Sequence, residues 1–200
     1  MTPSTKRALS IFRKNGGILR THEALEAGIH PRTLYALRDA KMIVQHGRGL
    51  FRIKSHPPLS KPNLVVMAKR VPSAIVCLVS ALAIHKLTTQ RPHAVQIALP
   101  KGARTPCIDF PPIEVFRFSD ETLEEGVITR RFDNMRVRVF SPEKTLADVF
   151  KFRNRVGLDV ALEALRNYAR RKKRQLPLVL EFAKICRVES IMRPYLEALV

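Results

Sequence analysis

No Asp-x-Asp pair occurs anywhere in the 200 residues, and no glycine-rich loop of the phosphate-cradling kind. The first lack removes the carboxylates with which a nucleotidyltransferase holds metal and phosphate, and the second removes a nucleotide-binding turn. A metal-dependent nuclease needs a strand carboxylate followed by a Glu-x-Lys or similar element. After Asp109 and Glu114 come Val115 and Phe116, with no lysine two places on. Asp120, Glu121, Glu124 and Glu125 cluster, but on a short helix, where they read as a solvated face. Cysteine is scarce and odd in number. Cys77, Cys107 and Cys186 are too far apart for a zinc knuckle and read as core residues of a reduced, cytoplasmic protein without a disulfide frame. Long apolar runs are also missing: the best stretch, around Val71 to Leu87, is interrupted by Pro72, Ser73, Ser80 and His85. It falls short of the ~20 apolar residues of a membrane span. Lys6 and Arg7 are followed by only Ala8 to Phe12 before Arg13, so no signal peptide is expected. These lacks lead us to expect no enzyme, no cofactor and no metal.

Carboxylates in general are few: 17 Asp and Glu against 36 Lys and Arg, a formal +19. Such an excess repels itself in a compact chain and signals a polyanionic partner, nucleic acid or an anionic membrane. The absence of a span or anchor favours nucleic acid. An apolar share of 46% supplies packed cores. Ser55 to Pro62 holds three prolines in eight residues and no periodic apolar positions, so it divides the chain. We expect a domain over 1–56, a linker over 57–62 and a second domain over 63–200.

In the first part, Ala8, Leu9, Ile11 and Phe12 lie at helical spacing before Asn15-Gly16-Gly17. Thr21 is placed to cap a short helix ending at Gly28, and Pro31 opens another running to Ala40. Met42–His46 and Leu50–Lys54 flank Gly47-Arg48-Gly49, a tight hairpin signal. Helix, short helix, glycine turn, helix and hairpin is the order of a winged helix-turn-helix, which reads double-stranded DNA. In its second helix Leu34 and Leu37 hold the core, while Arg32, Thr33, Tyr35 and Ala36 project outward in the first two turns. Arg32 offers a fork suited to guanine, and Arg48 at the wing tip is suited to a minor groove or phosphate. Arg20, Arg52 and Lys54 add backbone contacts. A single arginine is ordinarily a solvated charge. The ensemble argues otherwise, with eleven Lys and Arg against three Asp and Glu in residues 1–60.

The second part reads as a mixed domain with a small sheet and C-terminal helices, making the whole chain α+β. Helices are expected over Leu64–Arg70 and Ser73–His85, and strands over Ala94–Leu99, Ile113–Phe118, Val127–Arg131 and Arg136–Phe140. Ser141-Pro142-Glu143 starts a helix running to Arg153, and further helices follow over Leu158–Lys172 and from Pro177. His85 reads as a core residue. On the Ser141 helix, Lys144, Lys151 and Arg153 are expected to form an exposed basic face opposite Leu146, Val149 and Phe150. Arg170, Arg171, Lys172, Lys173 and Arg174 exceed what a helix dipole needs at its C-terminus. They point to a second polyanion contact, with flanking DNA or RNA.

Asn15-Gly16-Gly17-Ile18-Leu19-Arg20 with Gly47-Arg48-Gly49-Leu50-Phe51-Arg52 resembles the winged-helix domain of AbiEi-type antitoxins. Arg70-Val71-Pro72, Cys77 to His85, Leu87 to Gln90, Ser141 to Asp148 and Lys151-Phe152-Arg153 are similar to segments of that family's second domain. The resemblance implies the antitoxin of a type IV toxin–antitoxin operon, of the kind that serves abortive infection and phage defence. Its N-terminal domain would repress its own promoter. Its second domain would counter a nucleotidyltransferase-like toxin, through that toxin or its RNA substrate, with the second basic surface as the neutralising face. The alternatives are a winged-helix regulator whose second domain senses a ligand, and a DNA-cleaving protein, which the missing carboxylates disfavour.

Overall fold

Thr2 caps the first helix, its Oγ1 accepting from the Thr5 amide at 3.3 Å, and Pro3 fits the first turn because its missing N–H is not needed there. In this computed structural model, which describes residues 2–55 and 57–199, α1 spans Pro3–Lys14 and buries Ala8, Leu9 and Phe12. Gly16 and Gly17, at φ +74° and +80°, turn the chain into β1 (Ile18–Arg20). There follow α2 (Thr21–Glu26), α3 (Pro31–Asp39), β2 (Ile43–Gln45) and β3 (Leu50–Ile53). The three strands form an antiparallel sheet in the order β1-β3-β2. Its inner face, with Leu19, Phe51 and Ile53, closes over Phe12, Leu34 and Leu37. Strand β1 adds to the expected elements, its three residues being too short to show an alternation, and one expectation changes. Thr21 is the first residue of α2 rather than its cap: Arg20 takes that position, its amide donating to Glu23 Oε2 at 2.7 Å.

Past the prolines, α4 (Pro62–Arg70) leads to β4 (Ile75–Val76), α5 (Leu78–Ile84), β5 (Val95–Pro100), β6 (Ile113–Phe118) and the short α6 (Asp120–Leu123). Next come β7 (Val127–Phe132), β8 (Met135–Phe140), α7 (Pro142–Lys151), α8 (Arg153–Val156), α9 (Leu158–Ala169), α10 (Leu176–Ile185) and α11 (Glu189–Glu197). Strands β6-β5-β4-β8-β7 form a five-stranded sheet, parallel at β5/β6 and β4/β8 and antiparallel elsewhere. Period-two alternation sends Val137, Val139, Ile97 and Leu99 to the face covered by Leu64 and Met67 of α4. Ala98, Phe116, Phe118 and Phe140 face the other way, toward α5, α7 and α9–α11. The continuous helix expected over Ser73–His85 is instead strand β4 and then α5, whose first residue, Leu78, has φ +46°. β4 is the central strand, buried on both faces, so its apolar run carries no period that separates strand from helix.

The two domains meet over a shared apolar cluster. Ile18 and Leu50, on the outer face of the first sheet, pack on Val65 and Val66 of α4, with Leu59, Phe132 and Met135 around them. Ser60 donates its amide and hydroxyl to Asp133 Oδ2, at 2.8 and 2.9 Å. Each side has its own core, but apolar residues also cross the boundary. His56, which the sequence places at that boundary, lies outside the described residues.

Candidate nucleic-acid interface

His30 caps α3, its Nδ1 accepting from the Arg32 amide at 3.2 Å, and Leu34 and Leu37 anchor the helix in the core. That pins the opposite side outward. Arg32, Tyr35 and Ala36 are exposed, and the Arg38 guanidinium lies 5.0 Å from the centroid of the Tyr35 ring, which is 42% exposed as a residue. Thr33 departs from the expected face. It is half-buried in a cleft between α1 and the turn before α3, together with Ser4, Arg7 and His30. Arg7 is exposed there, a cation beside the start of α3. Sequence reading missed it because nothing in α1's spacing ties it to α3.

The wing divides its arginines by the same alternation that builds its sheet. Arg48 is exposed on the Gly47-Arg48-Gly49 turn, whose glycines have φ of +79° and +67°. Arg20 pairs in register with Leu50, and Arg52 with Ile18, so both arginines share the face that meets the second domain, not the face of α3. Both are half-buried, and Arg52 gives Nε to His46 Nε2 at 3.3 Å and Nη1 to the Pro57 carbonyl at 3.1 Å. Burial and the Arg52 charge hold the His46 imidazole below its ordinary pKa, which keeps its nitrogen available as an acceptor. On that face neither arginine stands beside α3 as expected, and Arg52 ties the wing to the linker. Lys54 is exposed at the opposite end of the hairpin from Arg48, beside Arg13 and Lys41.

Of the second basic surface, Lys144 has to be withdrawn. Its side chain is 0% exposed, with Nζ 2.6 and 2.7 Å from the two oxygens of Asp148, itself 0% exposed. The cation also lies 4.5 and 5.1 Å from the Phe140 and Phe118 ring centroids, and Cys186 Sγ donates to Asp148 Oδ1 at 3.3 Å. Lys144 and Asp148 sit one turn apart on the buried side of α7, so the lysine is part of the core. Lys151 is exposed, whereas Arg153 is half-buried and donates to the Phe150 carbonyl at 3.0 Å.

The run Arg170–Arg174 starts at the C-cap of α9 and continues into the connection to α10. Its fold comes from Tyr168, whose hydroxyl donates to Glu143 Oε1 at 2.6 Å and accepts the Gln175 amide at 2.9 Å. Burial, then the Glu143 bond, raises that phenol to about 12. Arg171 turns inward and donates to the His85 carbonyl, leaving Arg170, Lys172, Lys173 and Arg174 exposed. His85 is buried as expected, with Nε2 2.7 Å from the Phe140 carbonyl oxygen. Cys77 and Cys186 are buried, but Cys107 is exposed, on a loop that nothing in the sequence set apart from the core.

Helix, strand, two helices and a closing hairpin define a winged helix-turn-helix regulator domain, carried here on an α+β domain. Residues 6–54 match the family model described as "Transcriptional regulator, AbiEi antitoxin". The match ends before the second domain. Among solved structures, the chain is similar to the crystal structure of the RV2827C protein from Mycobacterium tuberculosis. The TM-score is 0.53 at 15% identity, covering 98% of this chain and 82% of that one, a likeness of fold. No curated protein matches the chain. Among the described residues, no helix is long and apolar enough to cross a membrane, and the acidic residues at α6 form no group suited to a metal ion.

Proposed function

We propose that the chain is an antitoxin and transcriptional autorepressor of a type IV toxin–antitoxin operon. The N-terminal domain binds an operator in its own promoter, and the second domain counters a nucleotidyltransferase-like toxin, directly or at its RNA substrate. The carrying observation is a recognition helix with Arg32 outward and a glycine-flanked Arg48 on the wing, within a domain that matches the antitoxin-regulator family model. Arg32 reads a base edge, Tyr35 and Ala36 lie along the groove, and Arg48 meets backbone or minor groove. The exposed cations Lys151, Arg170, Lys172, Lys173 and Arg174 form the second polyanion or toxin-neutralising surface.

If ~5–7 phosphates are neutralised, log K for promoter DNA falls with log salt at a slope of roughly −5 to −6. A flat salt response sinks the DNA reading. The antitoxin reading requires that a neighbouring gene's product arrest growth alone and not when this chain is co-expressed.

One feature supports a second reading, a winged-helix regulator with a ligand-sensing second domain. A cleft of about 420 Å³ lies between the start of α4, α5 and residues 90–95, with Lys61, Arg91 and Ser80 among its walls. Promoter affinity that changes with an added small anion, with no effect of the chain on any toxin, favours that reading.

A further inference from the structure

The wing tip lies against the second domain. Arg70, the last residue of α4, donates its Nη2 to the carbonyl of Arg48. A Cβ built on Gly47 would stand 3.0 Å from that Nη2 and 3.7 Å from the Phe110 Cβ, so the tight turn sits in a notch between α4 and the loop before β6. One residue earlier, Lys69 Nζ lies 2.7 Å from Glu23 Oε1, with side chains only 18% and 28% exposed. The other oxygen of Glu23 holds the Arg20 amide at the start of α2. One carboxylate therefore ties the first helix of the helix-turn-helix to α4, while the neighbouring guanidinium ties the wing to it. Beneath them Val65 and Val66, both fully buried, pack on Ile18 and Leu50.

We infer that Lys69 and Arg70 are positioning residues for DNA recognition: from the second domain, they fix the wing and the helix-turn-helix in one frame, so that Arg48 and Arg32 engage a single duplex together. The inference rests on the DNA reading above. The need for such a brace follows from the turn itself. Two glycines at positive φ leave the tip little stiffness of its own, and ordering it on binding would draw on the affinity. Among the described residues Arg70 has no carboxylate partner, and its guanidinium bonds the backbone of the element that carries Arg48.

The test uses the full chain and two measurements. In the free protein, amide hydrogen exchange reads the wing through His46, whose N–H bonds the Leu50 carbonyl at 2.8 Å, and Leu50, whose N–H bonds Gly47 O at 3.4 Å. Arg70→Ala should speed exchange at both by about tenfold, as expected where a turn loses its anchor and opens locally. Binding to a duplex of the chain's own promoter should weaken by about tenfold, the ordering of the tip now falling on the binding step. Arg48→Ala should then add little in the Arg70→Ala background, because the two act through one element. Arg70→Gln keeps a donor for the Arg48 carbonyl and should recover most of both effects, which also covers the case in which the alanine variant is poorly folded. Unchanged exchange at His46 and Leu50 overturns the inference. So does full additivity of Arg48→Ala and Arg70→Ala, which would make Arg70 a DNA contact in its own right. If the unaltered chain binds no duplex, the DNA reading fails, and the exchange measurement still decides whether Arg70 braces the wing.

Discussion

Replacing Lys144 by methionine takes a cation out of a site that no solvent reaches. Asp148 would keep only the Cys186 thiol as a side-chain donor, since both of its oxygens face Lys144 Nζ at 2.6 and 2.7 Å. Removing one partner of a buried pair costs about 3–5 kcal/mol, because the remaining charge has lost its compensation. For a chain of this size that corresponds to about 6–20 °C in Tm. The loss carries a pH signature. Burial pushes the Asp148 carboxyl above its ordinary value of 3.8, and Lys144 is the main influence pulling it back. Without the lysine, the folded-state value rises further above the unfolded one. Stability from this group is then fully present below the unfolded value and lost as pH rises through the folded value, so the variant should be weaker at pH 7 than near pH 4–5 relative to the unaltered chain. Thermal melts followed by circular dichroism across that range measure both effects. A double variant, Lys144→Met with Asp148→Leu, should recover most of the stability, because apolar replacement of a buried pair is often neutral. A single variant that loses less than about 1 kcal/mol, or a double variant no better than the single, refutes the reasoning. Charge reversal at Lys144 would likewise act by destabilising the fold, and says nothing about a surface.

Arg32→Ala should weaken binding to the promoter duplex by about 1–3 kcal/mol and to random DNA very little, whereas Arg48→Ala should weaken both alike. Equal losses on both duplexes for Arg32→Ala would remove it from the base readers. Gly126→Ala should destabilise the second domain by more than about 1 kcal/mol in a urea titration, since strain and overpacking add. Gly126 has φ +67°, and a Cβ there would stand 2.7 Å from Lys144 Cβ and 2.9 Å from Phe182 Cζ. A wild-type midpoint for that variant would show that the neighbourhood yields freely.

Much of the fold was legible where a period was long enough to read. The helical spacing of Ala8, Leu9 and Phe12, the Leu34–Leu37 pair, the Gly47-Arg48-Gly49 turn and the alternation from Arg136 to Phe140 all appear as elements of the expected kind. Ser141 caps α7 as its sequence suggests, accepting the Lys144 amide at 3.2 Å. What failed was the sorting of cations by environment. Lys144 looks like an amphipathic helix charge until Asp148, four residues on, is counted as its partner. Arg20 and Arg52 look like wing contacts until strand register assigns them a face. The clue to register was β1, a strand of three residues.

The same apolar seam bears on whether the two functions can be separated. The proline-rich segment suggests cutting near Leu64, but α4 starts at Pro62 and Ser60 is held by Asp133. A fragment beginning at Ser60 keeps both, while exposing Val65 and Val66, which are fully buried in the intact chain. Burying a valine contributes about 1.5–3 kcal/mol, so the two together set a loss of a few kcal/mol, less whatever the intact interface leaves in contact with solvent. The fragment has a large second core, from Phe116 and Phe140 to Met192, and should fold, fail to bind the promoter and still protect cells from the cognate toxin. The complementary fragment 2–55 loses the cover over Ile18 and Leu50 and the contacts of Lys69 and Arg70 at once. Being small, it has little reserve, so it should melt well below the intact protein and bind the same duplex at least tenfold more weakly. Melting and affinity equal to those of the full chain would mean that the seam contributes nothing. A folded second fragment that gives no protection would overturn the antitoxin assignment to that domain and leave the ligand-sensing regulator as the better account.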